Sequence, residues 1–233
     1  MSVRTAAAVT RLRPGPTAAV TLAGGCSLEA GRVLWTAPLT ALADAVPPAP
    51  PVATRHRGVV LVYLVVEEHR YSAVDAHYVP DRDVAFARLS EPKNYRHGPD
   101  PAGRTVLCAE VPATAGDAVW TAADAELGDL VLAGMGRSGL RRPVVVDVAV
   151  RRLPSVYPVL EVGGEAARRD ALEWADALPG VAVLGRQGLL VADNLHHVLD
   201  MALSAAACLD RGGWDGARWA AERRRFDAFV VDD

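Results

Sequence analysis

Short apolar stretches separated by turn-forming residues run along the chain, and they predict strands and helices that do not alternate regularly. Between residues 1 and 35, Gly- and Pro-containing breaks separate three predicted strands, at 4–12, 18–22 and 31–35. Further strands are predicted at 59–66, 76–79, 84–89, 106–111, 144–150 and 181–184. Helical periodicity predicts helices at 39–45, 120–133, 166–177, 194–209 and 214–229, and 46–52 is a Pro- and Ala-rich connection. This irregular order favours an α+β protein over a complete doubly wound sheet.

Composition excludes several classes of partner. The 233 residues are 51% hydrophobic with a formal net charge of −3, so no basic surface for nucleic acid is expected. The longest apolar run, Val59 to Val66, is too short to span a membrane, and the first residues lack the apolar core of a signal peptide. The three cysteines, Cys26, Cys108 and Cys208, have no metal-binding spacing. They predict buried, reduced thiols in a cytoplasmic protein without a metal site.

One glycine motif has the wrong context for the ligand that it usually binds. Residues 134–139 match G-x-G-x-x-G, the pattern of a dinucleotide-binding loop. Such a loop follows a strand and opens a helix, so that the helix N-terminus faces the pyrophosphate. Here the preceding residues have helical period and a strand is predicted afterwards, so Gly134 is interpreted as a helix C-cap. The motif therefore predicts a connection rather than a nucleotide site.

The segment 181–202 carries the strongest candidate chemistry. It is predicted as a strand, a Gly-rich turn and a helix whose N-cap is Asp193 or Asn194. Glycine allows a ligand to approach the backbone, and a helix start offers N–H groups and a positive dipole end. Arg186 would add a cation to a site suited to an anion. A plain turn into a core helix is the competing interpretation, and the adjacent His196 and His197 point too far apart to share a metal.

This segment resembles the closing motif of flavin amine-oxidase-superfamily enzymes, in the protoporphyrinogen oxidase-like and UDP-galactopyranose mutase-like branch. There a G-R-x-G turn leads into an N-M-D-type helix start beneath the flavin. Residues 157–161, YPVLE, are similar to the family's YPVYE, and 84–95 are similar to its F-x-R-x-S-x-P-x-N strand. Residues 105–112 are similar to the strand that follows, and 3–45 to the hairpin and return strand. The resemblance covers nearly the whole chain in order, but only the C-terminal half of such an enzyme.

The resemblance implies an α+β fold: an incomplete FAD-domain remnant plus a mixed-sheet substrate-binding domain, lacking the N-terminal Rossmann βαβ unit. Its expected parts are 1–45, the β-hairpin and return strand of the FAD-binding domain; 46–155, the substrate-binding domain; 156–210, the C-terminal part of the FAD-binding domain; and 211–233, a helical tail. Cofactor contacts are expected at Val9, Gly185, Arg186, Gly188, Asn194, Leu195 and His196. Substrate contacts are expected at Arg88 and Tyr157, and no catalytic residue is assigned.

The implied function is hydride transfer from a small-molecule substrate to FAD shared with a Rossmann-bearing partner chain in a hetero-oligomer. Three departures from the family pattern touch the cofactor edge: Ala192 replaces an aromatic residue, His196 an Asp and Ala202 a Gly. They favour an alternative, a non-catalytic accessory partner of a complete flavoenzyme, and a fragment of a longer enzyme is a third interpretation. In the first two cases the strands of 1–45 would expose edges and apolar faces, which predicts an obligate complex.

Overall fold

The computed structural model describes residues 2–52, 54–95, 98, 101–159, 161–210 and 213–231, and it is a mixed α/β structure with several sheets. The chain divides into two compact units. The split unit comprises Met1–Arg55 and Tyr157–Asp233, and the inserted unit comprises His56–Val156. The sequence predicts the corresponding boundaries at 45/46 and 155/156. Of the segments expected from sequence, residues 1, 53, 96, 97, 99, 100, 160, 211, 212, 232 and 233 lie outside the described part.

The split unit contains a three-stranded antiparallel sheet, a two-stranded parallel sheet and most of the helices. The antiparallel sheet consists of β1 (Val9–Arg13), β2 (Ala18–Leu22) and β3 (Ser27–Ala30). The parallel pair consists of β4 (Val33–Trp35) and β10 (Val181–Val183). The helices are α1 (Leu39–Ala45), α4 (Glu165–Asp176), α5 (Gly185–Leu189), α6 (Leu195–Ala207) and α7 (Gly216–Phe226), and a two-residue pair, β11 (Leu209–Asp210) and β12 (Gly213–Trp214), precedes α7.

The core of the split unit forms where α1, α4, α6 and α7 cover the parallel pair. All three residues of β10 are buried, as expected for a parallel strand covered on both faces. Their neighbours in the core include Trp35, Leu39, Met201 and Phe226. Segments distant in sequence thus share one core, which explains why the two parts of this unit fold together.

The inserted unit is built on a five-stranded sheet in the order β6-β7-β8-β5-β9. Its strands are β5 (His56–Val66), β6 (Ala76–Tyr78), β7 (Arg88–Ser90), β8 (Thr105–Ala113) and β9 (Val145–Pro158). A 3-10 turn covers Pro92–Asn94, and the helices are α2 (Ala118–Thr121) and α3 (Asp124–Arg137). Alternate residues of β5, among them Val60, Val62 and Leu64, pack with one face of α3 to form the core.

This sheet is antiparallel, whereas the resemblance implied a mixed one. β5 pairs with β8, β8 with β7 and β7 with β6, all antiparallel. β9 lies on the other side of β5. The backbone N–H of Glu67, after the end of β5, donates to the carbonyl oxygen of Val144, just before the start of β9, and Gly58 near the start of β5 lies against Leu153 late in β9. β9 therefore also runs antiparallel to β5. β8 and β9 flank β5 on opposite sides and therefore run in the same direction, so the connection from β8 to β9 through α2 and α3 crosses over β5.

The G-x-G-x-x-G segment is the end of α3, which confirms that it is not a strand-to-helix nucleotide loop. The expectation that Gly134 is a C-cap is wrong, because α3 continues to Arg137. Of the three glycines in this motif, only Gly139 (φ 74°) has the left-handed conformation of a C-capping residue. Gly134 is buried inside the helix, where a Cβ would lie 2.9 Å from the ring of Phe86. The glycine therefore allows α3 to pack closely on that aromatic ring.

Other element boundaries also differ from the sequence expectation. Residues 1–35 hold four strands rather than three, and the strand predicted at 84–89 is reduced to β7 because Phe86 serves as a core residue outside the ladder. β9 is twice as long as the predicted strand 144–150. Of the three thiols expected to be buried, Cys108 and Cys208 are buried but Cys26 is exposed.

The described residues lack two further kinds of feature, a membrane-spanning helix and a cluster of metal ligands. None of the helices in the described ranges is long and apolar enough to cross a membrane. Within the same ranges, no three His, Cys, Asp or Glu side chains are grouped so that they could hold a metal ion.

Candidate functional site

The connection between β10 and α6 is shaped by glycine at two positions for two different reasons. Gly185 has φ of +80°, a conformation that other residues adopt at a cost, and it turns the chain from β10 into α5. A Cβ on Gly188 would lie 2.7 Å from Cγ1 of Val183 and 3.2 Å from the carbonyl oxygen of Trp35. Residues 185–189 thus form a short helix rather than the expected turn, and Gly188 permits this helix to pack on the parallel strands.

The residue that ends α5 is held in an unusual conformation. Leu190 is left-handed at φ 53°, ψ 49°, and its side chain is buried in the core. Arg168 of α4 donates from Nε to the carbonyl oxygens of Leu189 (3.2 Å) and Leu190 (3.1 Å). A non-glycine residue in this region of conformational space needs support from its surroundings, and Arg168 supplies part of it.

Arg186 is engaged by an internal carboxylate. Its Nε donates to Oδ1 of Asp193 at 2.6 Å, and its Nη2 donates to the backbone carbonyl oxygen of the same residue. The guanidinium also lies over the ring of Tyr157, 5.2 Å from the centroid. The side chain of Asp193 is fully buried, whereas that of Arg186 is one-third exposed. The charge of Arg186 is therefore largely compensated, and the ion pair fixes the loop that precedes α6.

The start of α6 is organised by a histidine that stabilises the cap. Asn194 is the N-cap residue, and its backbone N–H donates to Nδ1 of His197 at 3.1 Å. The buried imidazole of His197 stacks on Phe229 with centroids 4.5 Å apart. Leu195 and His196, the first two residues of the helix, are exposed. Their backbone N–H groups have no acceptor within the helix and lie at its positive dipole end.

A cleft of about 630 Å³ lies beside this segment, within the split unit. Residues 190–192, α4 and the C-terminal residues from Phe226 to Val231 form its mainly apolar walls. Its charged residues are Glu161, Glu165, Arg168 and Asp227. Ala192 leaves room where the family resemblance would place an aromatic ring. The volume suits a small molecule or a ring of a larger one.

The outward face of α6 is apolar along its whole length. Leu195, Leu199 and Leu203 are 76%, 56% and 70% exposed, and they lie on one stripe because they are four residues apart. Ala202 and Ala206, on the same side, are also exposed. The helix buries a different face, formed by His197, Met201, Ser204 and Ala205. Since a core face is already present, the leucine stripe is a second apolar surface, which sequence periodicity alone could not distinguish from the first.

The remaining candidate residues lie elsewhere in the fold. Val9 is an exposed residue of β1, and Tyr157, the penultimate residue of β9, contacts Arg186. Arg88 belongs to the inserted unit, directly opposite Glu110 in the β7–β8 ladder, and the two form an ion pair. Burial lowers the pKa of Arg88, but hydrogen bonds to Glu110 and Tyr78 outweigh this effect and raise it.

Sequence reasoning identified the position of the site but missed two of the residues that organise it. These are Asp193, the ion-pair partner of Arg186, and His197, which stabilises the helix cap. Both roles depend on contacts that form only in the folded chain. The spacing of Arg186 and Asp193 across a short helix and the position of His197 at N3 were the available signals. The structure brings Arg186 into contact with Tyr157. It places Asn194, Leu195 and His196 together at the start of α6. Gly188 packs against β4 and β10.

Comparison with solved structures confirms the expected resemblance to flavin amine-oxidase-superfamily enzymes at the level of the fold. A protein assigned as a protoporphyrinogen oxidase from Exiguobacterium sp. 255-15 matches 78% of this chain (19% identity, TM-score 0.56). Reduced UDP-galactopyranose mutase matches 73% (17%, 0.60), and a putrescine oxidase redesigned in its cofactor binding matches 86% (16%, 0.60). No protein-family model matches the chain, and no curated protein matches it.

The same comparisons show how much of each solved structure this chain matches. The chain covers 43%, 38% and 47%, respectively, of the lengths of these three structures. It thus spans less than half of the length of each of these three proteins.

Proposed function

We propose that this chain is a subunit of a two-component FAD-dependent oxidoreductase of amine-oxidase or protoporphyrinogen-oxidase type. It would supply the substrate pocket and the contacts on the isoalloxazine side, and a Rossmann-bearing partner would hold the rest of a shared FAD. Residues 1–45 and 156–210 would form the FAD-side part, 46–155 the substrate-binding domain and 211–233 a helical tail. Its exposed and buried free thiols suit a cytoplasmic location.

The observation that carries this proposal is the outward face of α6. Three leucines more than half exposed on one helix stripe form a surface that a monomer rarely leaves in water. The neighbouring β4–β10 pair supports the same conclusion, because parallel sheets are usually larger and covered on both faces. Within the described residues this sheet has only two strands. A partner contributing strands and a helix would complete both features.

The start of α6 fits a flavin on physical grounds. Leu195 and His196 are exposed at the positive end of a 13-residue helix, and their N–H groups can donate to carbonyl oxygens or stabilise negative charge. Gly185 and Arg186 would act mainly by shaping the preceding segment. When bound, the flavin would accept a hydride from the substrate. This chain would position both and exclude water, with Tyr157 and Arg88 on the substrate side.

The partner is tested by isolating the tagged chain from its own host and recording native mass spectra. We expect the wild type to be recovered with a second chain that carries a strand–G-x-G-x-x-G–helix unit. Leu199→Glu places a charge in the leucine stripe and should remove that chain. Val162→Glu is the matched control, since Val162 is fully exposed outside the stripe. Recovery of the partner with Leu199→Glu would contradict this account.

A second function, that of a non-catalytic accessory subunit, is favoured by one observation. Arg186 is the only cationic residue of the G-R-x-G segment 185–188. It is already paired with Asp193 and offers little net charge to a cofactor. His196→Ala in the purified complex separates the two functions. A shared flavin site predicts weaker flavin retention and slower turnover, whereas an accessory role predicts that neither changes because the partner is complete.

A further inference from the structure

The outermost strand of the inserted unit, β9, is an unusually long sheet edge. It has 14 residues, more than twice the usual strand length, and it is the last strand in the order β6-β7-β8-β5-β9. Among the strands that the structure describes, none pairs with its outer side. An exposed edge presents a row of backbone donors and acceptors that can pair with another strand. Residues 145–156 of this edge belong to the inserted unit, and the segment around Ala149 contains none of the residues assigned to the proposed flavin site.

Residues of β9 alternate between two environments. Val148 and Val150 pack against the core of the inserted unit, and Arg152 on the same side donates to the carbonyl oxygens of Trp120 and Ala122. Asp147, Ala149, Arg151 and Leu153 have the opposite parity and are exposed. The open face of the edge therefore carries one acidic and one basic residue, with an alanine midway between them.

These two charges have no ion-pair partner among the described residues. The side chain of Asp147 accepts only from the backbone N–H of Val148, at 2.9 Å. Four residues along an extended strand span about 13 Å, so Asp147 and Arg151 of one chain cannot reach each other. Two opposite charges at this separation on a free edge are complementary to the same edge turned through 180°.

We infer that β9 pairs with β9 of a second copy of this chain, antiparallel about a two-fold axis through Ala149. In this register Asp147 of each copy lies directly opposite Arg151 of the other, which gives two symmetric cross-strand ion pairs on the open face. On the core side, Val148 lies opposite Val150 of the second copy, and the pair extends the apolar layer. The result is a continuous ten-stranded antiparallel sheet.

The alternation of the strand restricts the register. A one-residue slip would place each charged residue opposite a residue of the other face, and a parallel arrangement would not bring unlike charges together by symmetry. A strand from an unrelated chain could use the same backbone groups. It would not be expected to match this pattern of charges, and self-complementarity therefore favours a second copy.

The test uses charge reversal in the full chain, measured by analytical ultracentrifugation and native mass spectrometry. We expect the wild type to dimerise and either Asp147→Arg or Arg151→Asp to raise the dissociation constant about tenfold or more, because each change creates two repulsive pairs. An equal mixture of the two variants should form a 1:1 heterodimer. There the arginine introduced at 147 meets the aspartate introduced at 151, and Arg151 meets Asp147.

The controls are exposed charges of the same unit outside β9. Asp129→Arg and Arg142→Asp are matched in charge change and should leave the dimer intact. Leu199→Glu, which tests the α6 face, should also leave it intact, so failure of the flavin proposal would not affect this result. A monomeric wild type, a dimer insensitive to both reversals, or a mixture without heterodimers would overturn the inference. Pairing of β9 with a different chain would overturn it as well.

Discussion

The ion pair beneath the start of α6 makes an asymmetric prediction. Removing the positive partner, by Arg186→Met, leaves the fully buried carboxylate of Asp193 without its cation. Breaking a buried pair in this way costs about 3–5 kcal/mol of unfolding free energy. Removing the negative charge, by Asp193→Asn, leaves an arginine that is one-third exposed, keeps its bond to the backbone carbonyl and can turn toward water. We expect this change to cost only about 1–2 kcal/mol.

The double variant Arg186→Met/Asp193→Asn separates the pair from its surroundings. It no longer has an isolated buried charge, so we expect it to be more stable than Arg186→Met alone by about 2 kcal/mol. Urea unfolding followed by tryptophan fluorescence measures all three differences. For a chain of this size Arg186→Met should lower the thermal midpoint by roughly 10 °C. If Asp193→Asn is the more destabilising single change, or if Arg186→Met costs less than about 0.5 kcal/mol, the assignment of a buried pair is wrong.

Further changes test other parts of the structure. Gly188→Ala should destabilise the chain by about 1–3 kcal/mol in urea titrations, because the added methyl group meets Val183 at 2.7 Å. Leu190→Gly relieves a left-handed residue by about 1 kcal/mol but removes a buried side chain worth about 2–5 kcal/mol, so calorimetry should show a net loss. Burial, aided by Glu110, raises the pKa of Cys108 to about 11. Since that pKa is above the value in the unfolded chain, the free energy of unfolding is unaffected below about pH 9 and falls by up to about 3 kcal/mol as the pH rises toward 11. Cys108→Ala should abolish this pH dependence. The exposed Cys26 should be the first thiol to react with a disulfide reagent.

Local patterns were sufficient to predict most elements of this fold, and contacts between distant segments explain the failures. The sequence predicts the buried strands β5, β8 and β10 because their apolar runs, interrupted only by Glu110 in β8, are bounded by turn residues. Gly134 was misread because a glycine buried against Phe86 and a C-capping glycine look the same in sequence. The final extent of β9 depends on pairing with β5, which no local signal in 151–158 reports.

The candidate site was likewise only partly predictable. The order of Gly185, Arg186 and Asn194 indicated a strand followed by a helix start, and the structure confirms that arrangement. Leu195, Leu199 and Leu203 have helical spacing, but the sequence could not reveal that this apolar face of α6 points to water. Small and polar residues around Met201 form the buried side instead. Periodicity identifies an apolar stripe, whereas the packing of neighbouring helices decides which side is covered.

The central claim is that this chain holds FAD only together with a Rossmann-bearing partner, and an absorbance spectrum tests it most directly. The chain is purified alone and in its native complex, and each sample is freed of unbound flavin by gel filtration. The account predicts a flavin spectrum for the complex, none for the isolated chain, and loss of both partner and spectrum in Leu199→Glu. A stoichiometric flavin spectrum from the isolated chain, or a colourless native complex, would contradict it.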